Sequence, residues 1–107
     1  MEIALLNTTI ATTDGTYVLK TITLDEAKNL VQCNENLDSA IGHQSTADVM
    51  TVLLGVTIPV NRQQFAQKIG QQALVFKLKG RPPEGVILSA VQIEEIGYEF
   101  KVLTREA

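Results

Sequence analysis

The chain has 107 residues, 45% hydrophobic and 20% charged, which is ordinary for one globular domain. Its formal net charge of -3 and sequence pI of about 5.0 exclude a nucleic-acid-binding protein that relies on bulk positive charge. The single cysteine, Cys33, allows no intramolecular disulfide, and one histidine with one cysteine excludes a structural zinc site within one chain. A polyanionic ligand would therefore need a local cluster of donors.

Targeting signals are not evident. Residues 1–15 carry no basic region ahead of their short apolar run, so no signal peptide is predicted. No stretch approaches the roughly 20 apolar residues of a membrane span. We expect a cytoplasmic protein in a reducing compartment that uses no membrane, no cofactor and no metal.

Two strands and one helix are predicted in the first third of the chain. Residues 2–6 are apolar enough for a strand buried on both faces, and residues 17–23 alternate as a second strand, with polar loop residues between them. Thr23 and Glu26 match a capping box, in which each side chain satisfies a free N–H group at a helix start. The helix is predicted to run to about Cys33.

The middle of the chain predicts a second helix. A short apolar piece, residues 37–41, precedes it, and the run Ser45-Thr46-Ala47-Asp48 is a capping signal with Ser45 as the N-cap. Gly55 stands where a left-handed C-cap would end the helix. Residues 56–65 then read as an interrupted strand region, in which Pro59 favours a sheet edge or a bend.

The last third of the chain predicts two strands and a short helix. Residues 73–79 form the clearest strand, residues 80–85 a rigid turn, residues 89–95 a helix capped by its first serine, and residues 98–104 the last strand. Strands and helices alternate without clean βαβ periodicity. We therefore predict one α/β domain over residues 1–107, with a mixed sheet covered by two or three helices.

His43 is the only histidine, and it lies one or two residues before the predicted second helix. Unpaired N–H groups and the positive end of the helix dipole favour an anion there, most typically a phosphate. An imidazole ordinarily titrates near neutral pH, so it can give or take a proton beside such an anion. The alternative is a turn histidine that bonds a nearby carbonyl.

A second candidate is the run GRPPEG. Pro82 and Pro83 stiffen the segment between Arg81, whose planar guanidinium suits phosphate oxygens, and Glu84, which could orient that guanidinium or accept a proton. The alternative is a tight turn with an exposed ion pair.

Two further groups of polar residues are candidates for ligand binding. Asn7, Thr8 and Thr9 follow the first strand directly, and polar residues at the carboxyl end of a buried strand often line a ligand crevice. They also make ordinary Asx and hydroxyl turns. Arg62 is a basic candidate whose alternative is a plain surface charge.

Taken together and in order, the runs LLNTT, AIGHQST, VNR and RPPEG resemble the viral ring nucleases. That family includes anti-CRISPR proteins that destroy cyclic tetraadenylate, the second messenger of type III CRISPR defence, and it has relatives in bacterial chromosomes and prophages. The resemblance covers nearly the whole chain, and its most specific parts are Gly-His-x-Ser-Thr and Arg-x-x-Glu-Gly. It implies a mixed-sheet α/β fold, a homodimer, and a cyclic oligonucleotide bound across the two-fold axis, with no long nucleic acid as partner.

The resemblance also implies roles for individual residues. The catalytic positions of the family fall on His43, Arg81 and Glu84, and its ligand contacts fall on Asn7, Ser45, Thr46 and Arg62. The family's loop after the first strand can supply a catalytic serine, whereas this chain offers Thr8 and Thr9. Gln44 stands where some relatives have Asp.

The expected reaction is attack of a ribose 2′-hydroxyl on the adjacent phosphate, without metal. His43 would protonate the departing 5′-oxygen, and Arg81 with the helix N–H groups would stabilise the phosphoryl charge. Glu84 would either position Arg81 or help to remove the 2′ proton. Two other functions remain open: a module that sequesters a cyclic nucleotide without cutting it, and a host regulatory or structural protein that binds no such ligand.

Overall fold

The computed structural model describes residues 2–7, 14–33, 36–61, 63, 65–80 and 89–107. The first four elements in chain order are β1 (Glu2–Leu6), β2 (Tyr17–Ile22), α1 (Leu24–Gln32) and β3 (Asn36–Ser39). The other four are α2 (Gln44–Leu54), β4 (Gln72–Leu78), α3 (Ala90–Ile96) and β5 (Tyr98–Arg105). The predicted strands and helices agree with these bounds closely, apart from two segments described below and from β3, whose residues were predicted only as part of a short apolar piece before α2.

The five strands form one sheet in the order β2-β5-β4-β1-β3. β1 runs parallel to both of its neighbours, with Leu5 opposite Ser39 on β3 and Leu6 opposite Val75 on β4. β5 runs antiparallel to β4 and β2. The predicted α/β architecture, a mixed sheet with two or three helices, is confirmed.

Because β1, β3 and β4 are parallel, their carboxyl ends meet at one edge of the sheet. We call this the carboxyl edge; its markers are Asn7 after β1, Ala40 after β3 and Lys79 after β4. A hydrogen bond of 2.9 Å from the N–H of Ala40 to the carbonyl of Leu5 extends the β1–β3 ladder up to this edge. The chain enters α2 from the same edge.

Residues 3–6 of β1 are buried on both faces, as their apolar sequence predicts. Ile3 and Leu5 belong to the core cluster under the helices, while Ala4 and Leu6 belong to a second cluster on the opposite face. Phe65 covers that second face. The sheet is therefore packed on both sides at its centre, which holds the carboxyl edge on a rigid base.

Helices α1 and α3 begin with complete capping boxes, which confirms both predictions. In α1, the N–H of Glu26 donates to the Thr23 hydroxyl at 3.2 Å and the N–H of Thr23 donates to the Glu26 carboxylate at 3.1 Å. Ser89 and Gln92 make the same pair of bonds in α3, at 3.3 and 2.9 Å. The N-terminal N–H groups of these two helices are thus partly satisfied from within.

The predicted start of α2 is wrong by two positions. The N-cap is His43 and not Ser45, and the helix already includes Gln44. The physical reason is local: the Gln44 amide donates a 2.8 Å hydrogen bond to the carboxylate of Asp48. This i, i+4 pair favours a helix start two residues earlier than the Ser45 signal. The C-cap prediction is confirmed, since Gly55 ends α2 at a φ of 74°.

The predicted interrupted strand over residues 56–65 is also wrong, since none of its described residues forms a strand. The segment instead contacts the last residue of β3, Ser39, and the turn that follows it. Its N–H groups at Ile58 and Asn61 donate to the Thr51 hydroxyl and to the carbonyl of Ile41. Pro59 has no N–H for a ladder, and its carbonyl accepts from the Ser39 hydroxyl. The turn predicted over residues 80–85 lies outside the described residues after Gly80.

Candidate functional site

Four of the nine residues predicted for the site are described, and they are Asn7, His43, Ser45 and Thr46. The other five, Thr8, Thr9, Arg62, Arg81 and Glu84, lie outside the described residues, so their predicted roles stay predictions. All four described residues lie at the carboxyl edge or in the first turn of α2, which starts there.

Asn7 follows β1 directly and is half-buried. Since β1 lies between β3 and β4, Asn7 stands between the ends of two parallel neighbours, each about 4.8 Å away in the hydrogen-bonding direction. One neighbour leads through Ala40 to His43, and the other leads through Lys79 and Gly80 toward Arg81. The topology thus brings the ends of β3 and β4, the strands that precede His43 and Gly80, to the edge that carries Asn7.

His43 joins the carboxyl edge to α2. Its backbone is extended, and its carbonyl accepts the first helical hydrogen bond, from the N–H of Ala47 at 3.1 Å. The side chain is exposed and makes no capping bond. No hydrogen bond joins the imidazole to another residue in the described part of the chain, so the alternative of a carbonyl-bonded turn histidine has no described partner.

The N-terminus of α2 differs from those of the other two helices, because no side chain among the described residues caps it. Its first turn holds no acidic side chain. Ser45 is exposed and Thr46 half-buried, and both lie within that turn beside its N–H groups. An uncapped helix start with hydroxyl side chains and the positive end of the dipole favours an anionic ligand.

Hydrogen bonds of Ser39 hold the turn that carries His43. The hydroxyl of this serine accepts a 3.2 Å hydrogen bond from the N–H of Ile41 and donates one of 2.6 Å to the carbonyl of Pro59. Its carbonyl accepts from the side-chain amides of Asn61 and Gln63, at 3.0 and 2.6 Å. We call these residues, Ser39, Ile41, Pro59, Asn61 and Gln63, the Ser39 junction.

Sequence reasoning missed this junction. Ser39 follows Asp38 in a short, mostly apolar stretch, and its partners Pro59, Asn61 and Gln63 lie 20 to 24 residues away in the chain. The only local signal is the position of the serine, four residues before the histidine, which does not identify a distant partner. Asn61 and Gln63 flank Arg62 in the sequence, and both bond the carbonyl of Ser39, while Arg62 itself lies outside the described residues.

Tyr98 is the one described group at this edge with a shifted pKa. It opens β5 opposite Leu78, the last residue of β4, and its ring packs near Phe76 and Phe100 at centroid distances of 6.2 and 5.7 Å. Burial raises the pKa of the Tyr98 phenol above its usual value of 10.0, and the nearby charge of Glu94 adds to the effect. The phenol therefore stays neutral across the physiological pH range.

No helix in the described ranges is long and apolar enough to span a bilayer.

Comparison with known proteins supports a viral family. The chain is 42% identical over 106 residues to the uncharacterized protein YddF of Bacillus subtilis (strain 168), covering 98% of each. It is 41% identical over 96 residues to uncharacterized protein 26 of Sulfolobus islandicus filamentous virus, covering 84% of this chain and 80% of that one. It is 35% identical over 91 residues to uncharacterized protein ORF117 of Acidianus two-tailed virus, covering 83% and 78%.

A solved structure shares the fold. B116 of Sulfolobus turreted icosahedral virus (STIV) superposes with a TM-score of 0.85 at 21% identity, covering 97% of this chain and 99% of that one. The family model described as STIV B116-like matches residues 3–100. The expectation of a viral family with bacterial relatives is confirmed at this level, and the chain belongs to the STIV B116-like family.

Proposed function

We propose that this protein is a metal-independent ring nuclease that cleaves cyclic tetraadenylate and so antagonises type III CRISPR signalling. The observation that carries the proposal is the placement of an exposed imidazole, bonded to no described residue, at the start of α2, which no described side chain caps. That start lies at the carboxyl edge. Asn7 lies at the same edge, and so does the end of β4, the strand that precedes Arg81 in the sequence. A proton donor beside an anion site is what cleavage of a phosphodiester without metal requires.

The proposed reaction uses the substrate's own nucleophile. The ribose 2′-oxygen attacks the adjacent phosphorus while the bond from phosphorus to the 5′-oxygen breaks, and the 2′ proton leaves to Glu84 or to water. Protonated His43 donates its proton to the departing 5′-oxygen. The products are short linear adenylates that end in a 2′,3′-cyclic phosphate.

The developing charge needs donors in fixed positions. The free N–H groups of the first turn of α2, with the Ser45 and Thr46 hydroxyls, supply part of this set, and we assign the Arg81 guanidinium to the rest. Arg62 and Asn7 would hold other parts of the ring. Local donors of this kind reconcile a polyanionic substrate with a net charge of -3.

We further propose that the working unit is a homodimer in the cytoplasm of the host cell. One chain of 107 residues supplies only one histidine. A two-fold dimer presents two such residues to a ring that is itself symmetric, and therefore cuts two opposed bonds. Membership of a family that includes virus proteins fits an antagonist of a host signal.

A multiple-turnover assay tests the proposal. Cyclic tetraadenylate is incubated in large molar excess over the protein with EDTA present, alongside smaller and larger rings, and the products are identified by mass. We expect many turnovers per protein and linear products with 2′,3′-cyclic phosphate ends. Stoichiometric loss of free ring without product would instead identify a sequestering protein, and absence of binding would contradict both functions.

A further inference from the structure

β3 is an edge strand of the described sheet, and an irregular segment contacts it at Ser39, the last residue of the strand. This segment, residues 56–61, returns from the far end of α2 to the carboxyl edge, where the N–H of Asn61 donates a 2.9 Å hydrogen bond to the carbonyl of Ile41. The chain therefore leaves the edge through α2 and comes back to within two residues of His43.

Ser39 is the centre of this return. It is one of the few buried polar residues of the described chain, with 3% of its surface exposed. Its hydroxyl donates a hydrogen bond to the carbonyl of Pro59 and accepts one from the N–H of Ile41. The serine thereby joins the returning segment to the turn before His43. A buried hydroxyl with two fixed partners has one orientation, since the loss of either hydrogen bond would lower the stability of the folded state.

The imidazole of His43 has no comparable support of its own. It is exposed, and no described side chain or carbonyl bonds it. The position of the imidazole is therefore set by the backbone on either side of His43. Before it lies the four-residue turn from Ala40 to His43, and after it lies α2. The Ser39 junction fixes that turn at Ile41, because the N–H and the carbonyl of Ile41 are both bonded there.

We propose that Ser39 is a positioning residue that sets the orientation of His43 toward the scissile phosphate, a role that rests on the proposed function. The serine touches no substrate. It acts by holding the backbone two residues before the histidine, and displacement of a proton donor by about 1 Å can cost up to about a hundredfold in rate.

The test compares Ser39→Ala with the conservative variant Ser39→Thr, which keeps a hydroxyl on the same carbon. Thr51→Val is the matched control, because the Thr51 hydroxyl also donates one bond, to Ala47 at 2.8 Å, and accepts one, from Ile58 at 3.0 Å. Thr51 lies about 12 Å further along α2 than His43. Circular dichroism first establishes that each variant is folded at the assay temperature.

Two substrates are used, cyclic tetraadenylate and the same ring with sulfur in place of each bridging 5′-oxygen, here called the 5′-thio ring. A thiolate leaves without being protonated, so a defect in proton donation disappears with this substrate. We expect Ser39→Ala to lower kcat at least about tenfold on the natural ring with little change in KM. We expect that loss to shrink on the 5′-thio ring, and Ser39→Thr and Thr51→Val to keep most of the wild-type kcat.

Three results would overturn the inference while leaving the proposed function intact: an unchanged kcat for Ser39→Ala, an equal loss on both rings, or an equal loss in Thr51→Val. If Ser39→Ala does not fold, Asn61→Ala carries the test with the same expectations, since it removes an exposed side chain that bonds the carbonyl of Ser39. A wild-type protein that cleaves neither ring overturns the proposed function, and the positioning role with it.

Discussion

The carbonyl oxygen of His43 accepts a 3.1 Å hydrogen bond from the backbone N–H of Ala47, and this bond begins α2. The backbone of the histidine thus serves the helix, while its side chain is exposed and is bonded to no other described residue. Structure and chemistry are separable at this position. A change of side chain can remove the proposed proton donor without removing the helix start.

Substitution of His43 tests that separation. His43→Ala should slow cleavage of cyclic tetraadenylate by at least about a hundredfold, because the leaving oxygen loses its acid. His43→Asn should be equally slow, yet more stable than His43→Ala by about 1 kcal/mol, since asparagine is a favoured N-cap. Cleavage rates and denaturant unfolding measure the two effects. Activity that follows stability across both variants would show that the imidazole has only a structural role.

The proposed homodimer predicts the mass in solution. Light scattering should report twice the chain mass of 11.7 kDa at the concentrations that support cleavage. Mixing wild-type protein with an excess of His43→Ala should then lower activity through mixed dimers. A strict monomer that cleaves the ring at full rate would remove the argument for a shared site.

Substitution of Arg105 should lower the stability of the fold without changing the rate of ring cleavage. The Arg105 guanidinium donates to the carbonyls of Gln67, Asp14 and Ala107 at 2.6, 3.0 and 3.3 Å. Arg105 is the last residue of β5. Because β5 runs antiparallel to β4, this residue lies at the end of the sheet opposite the carboxyl edge. Arg105→Lys keeps the charge but loses the planar set of donors, and should lower the free energy of unfolding by about 1–2 kcal/mol.

The control for Arg105 is Lys77→Ala, which removes an exposed cation and should change stability by less than about 0.5 kcal/mol. Both variants should cleave the ring at the wild-type rate while folded. A catalytic loss in folded Arg105→Lys would mean that the two sheet edges are coupled.

Tyr98 predicts a dependence of stability on alkaline pH. Burial, with the charge of Glu94, raises the folded pKa of this phenol above its unfolded value of 10.0. The native state therefore holds the proton more tightly, and its contribution to stability is complete below pH 10 and is lost as pH rises through the folded pKa. Urea unfolding above pH 10 should show a steeper loss in the wild type than in Tyr98→Phe. Parallel pH profiles for the two proteins would contradict the shift.

The parts of the fold that were predicted correctly are those set by residues close in sequence. The pairs Thr23–Glu26 and Ser89–Gln92 are three residues apart, and each determines a helix start by itself. Gly55 likewise ends α2 for a local reason, its φ of 74°. The start of α2 was misplaced because two local signals compete there, and the Gln44–Asp48 bond prevails over the Ser45 pattern.

The parts that were missed depend on distant partners. Residues 56–61 have strand-like composition, but their hydrogen bonds go to Thr51 within α2 and to Ser39 and Ile41, on the other side of α2 in the chain. No periodicity encodes such a contact. Of the candidate site, the sequence predicted two local relations that the structure shows: Asn7 follows the end of β1, and His43 directly precedes α2. The Ser39 junction, which we propose orients His43, was not predicted, since most of its bonds join residues that are distant in the chain.

The most direct measurement of the central claim is the cleavage rate of His43→Ala on the 5′-thio ring. If His43 protonates the departing 5′-oxygen, the variant should recover nearly the wild-type rate on this substrate while staying at least about a hundredfold slow on the natural ring. A deficit of the same size on both rings would contradict the assignment of His43 as the proton donor.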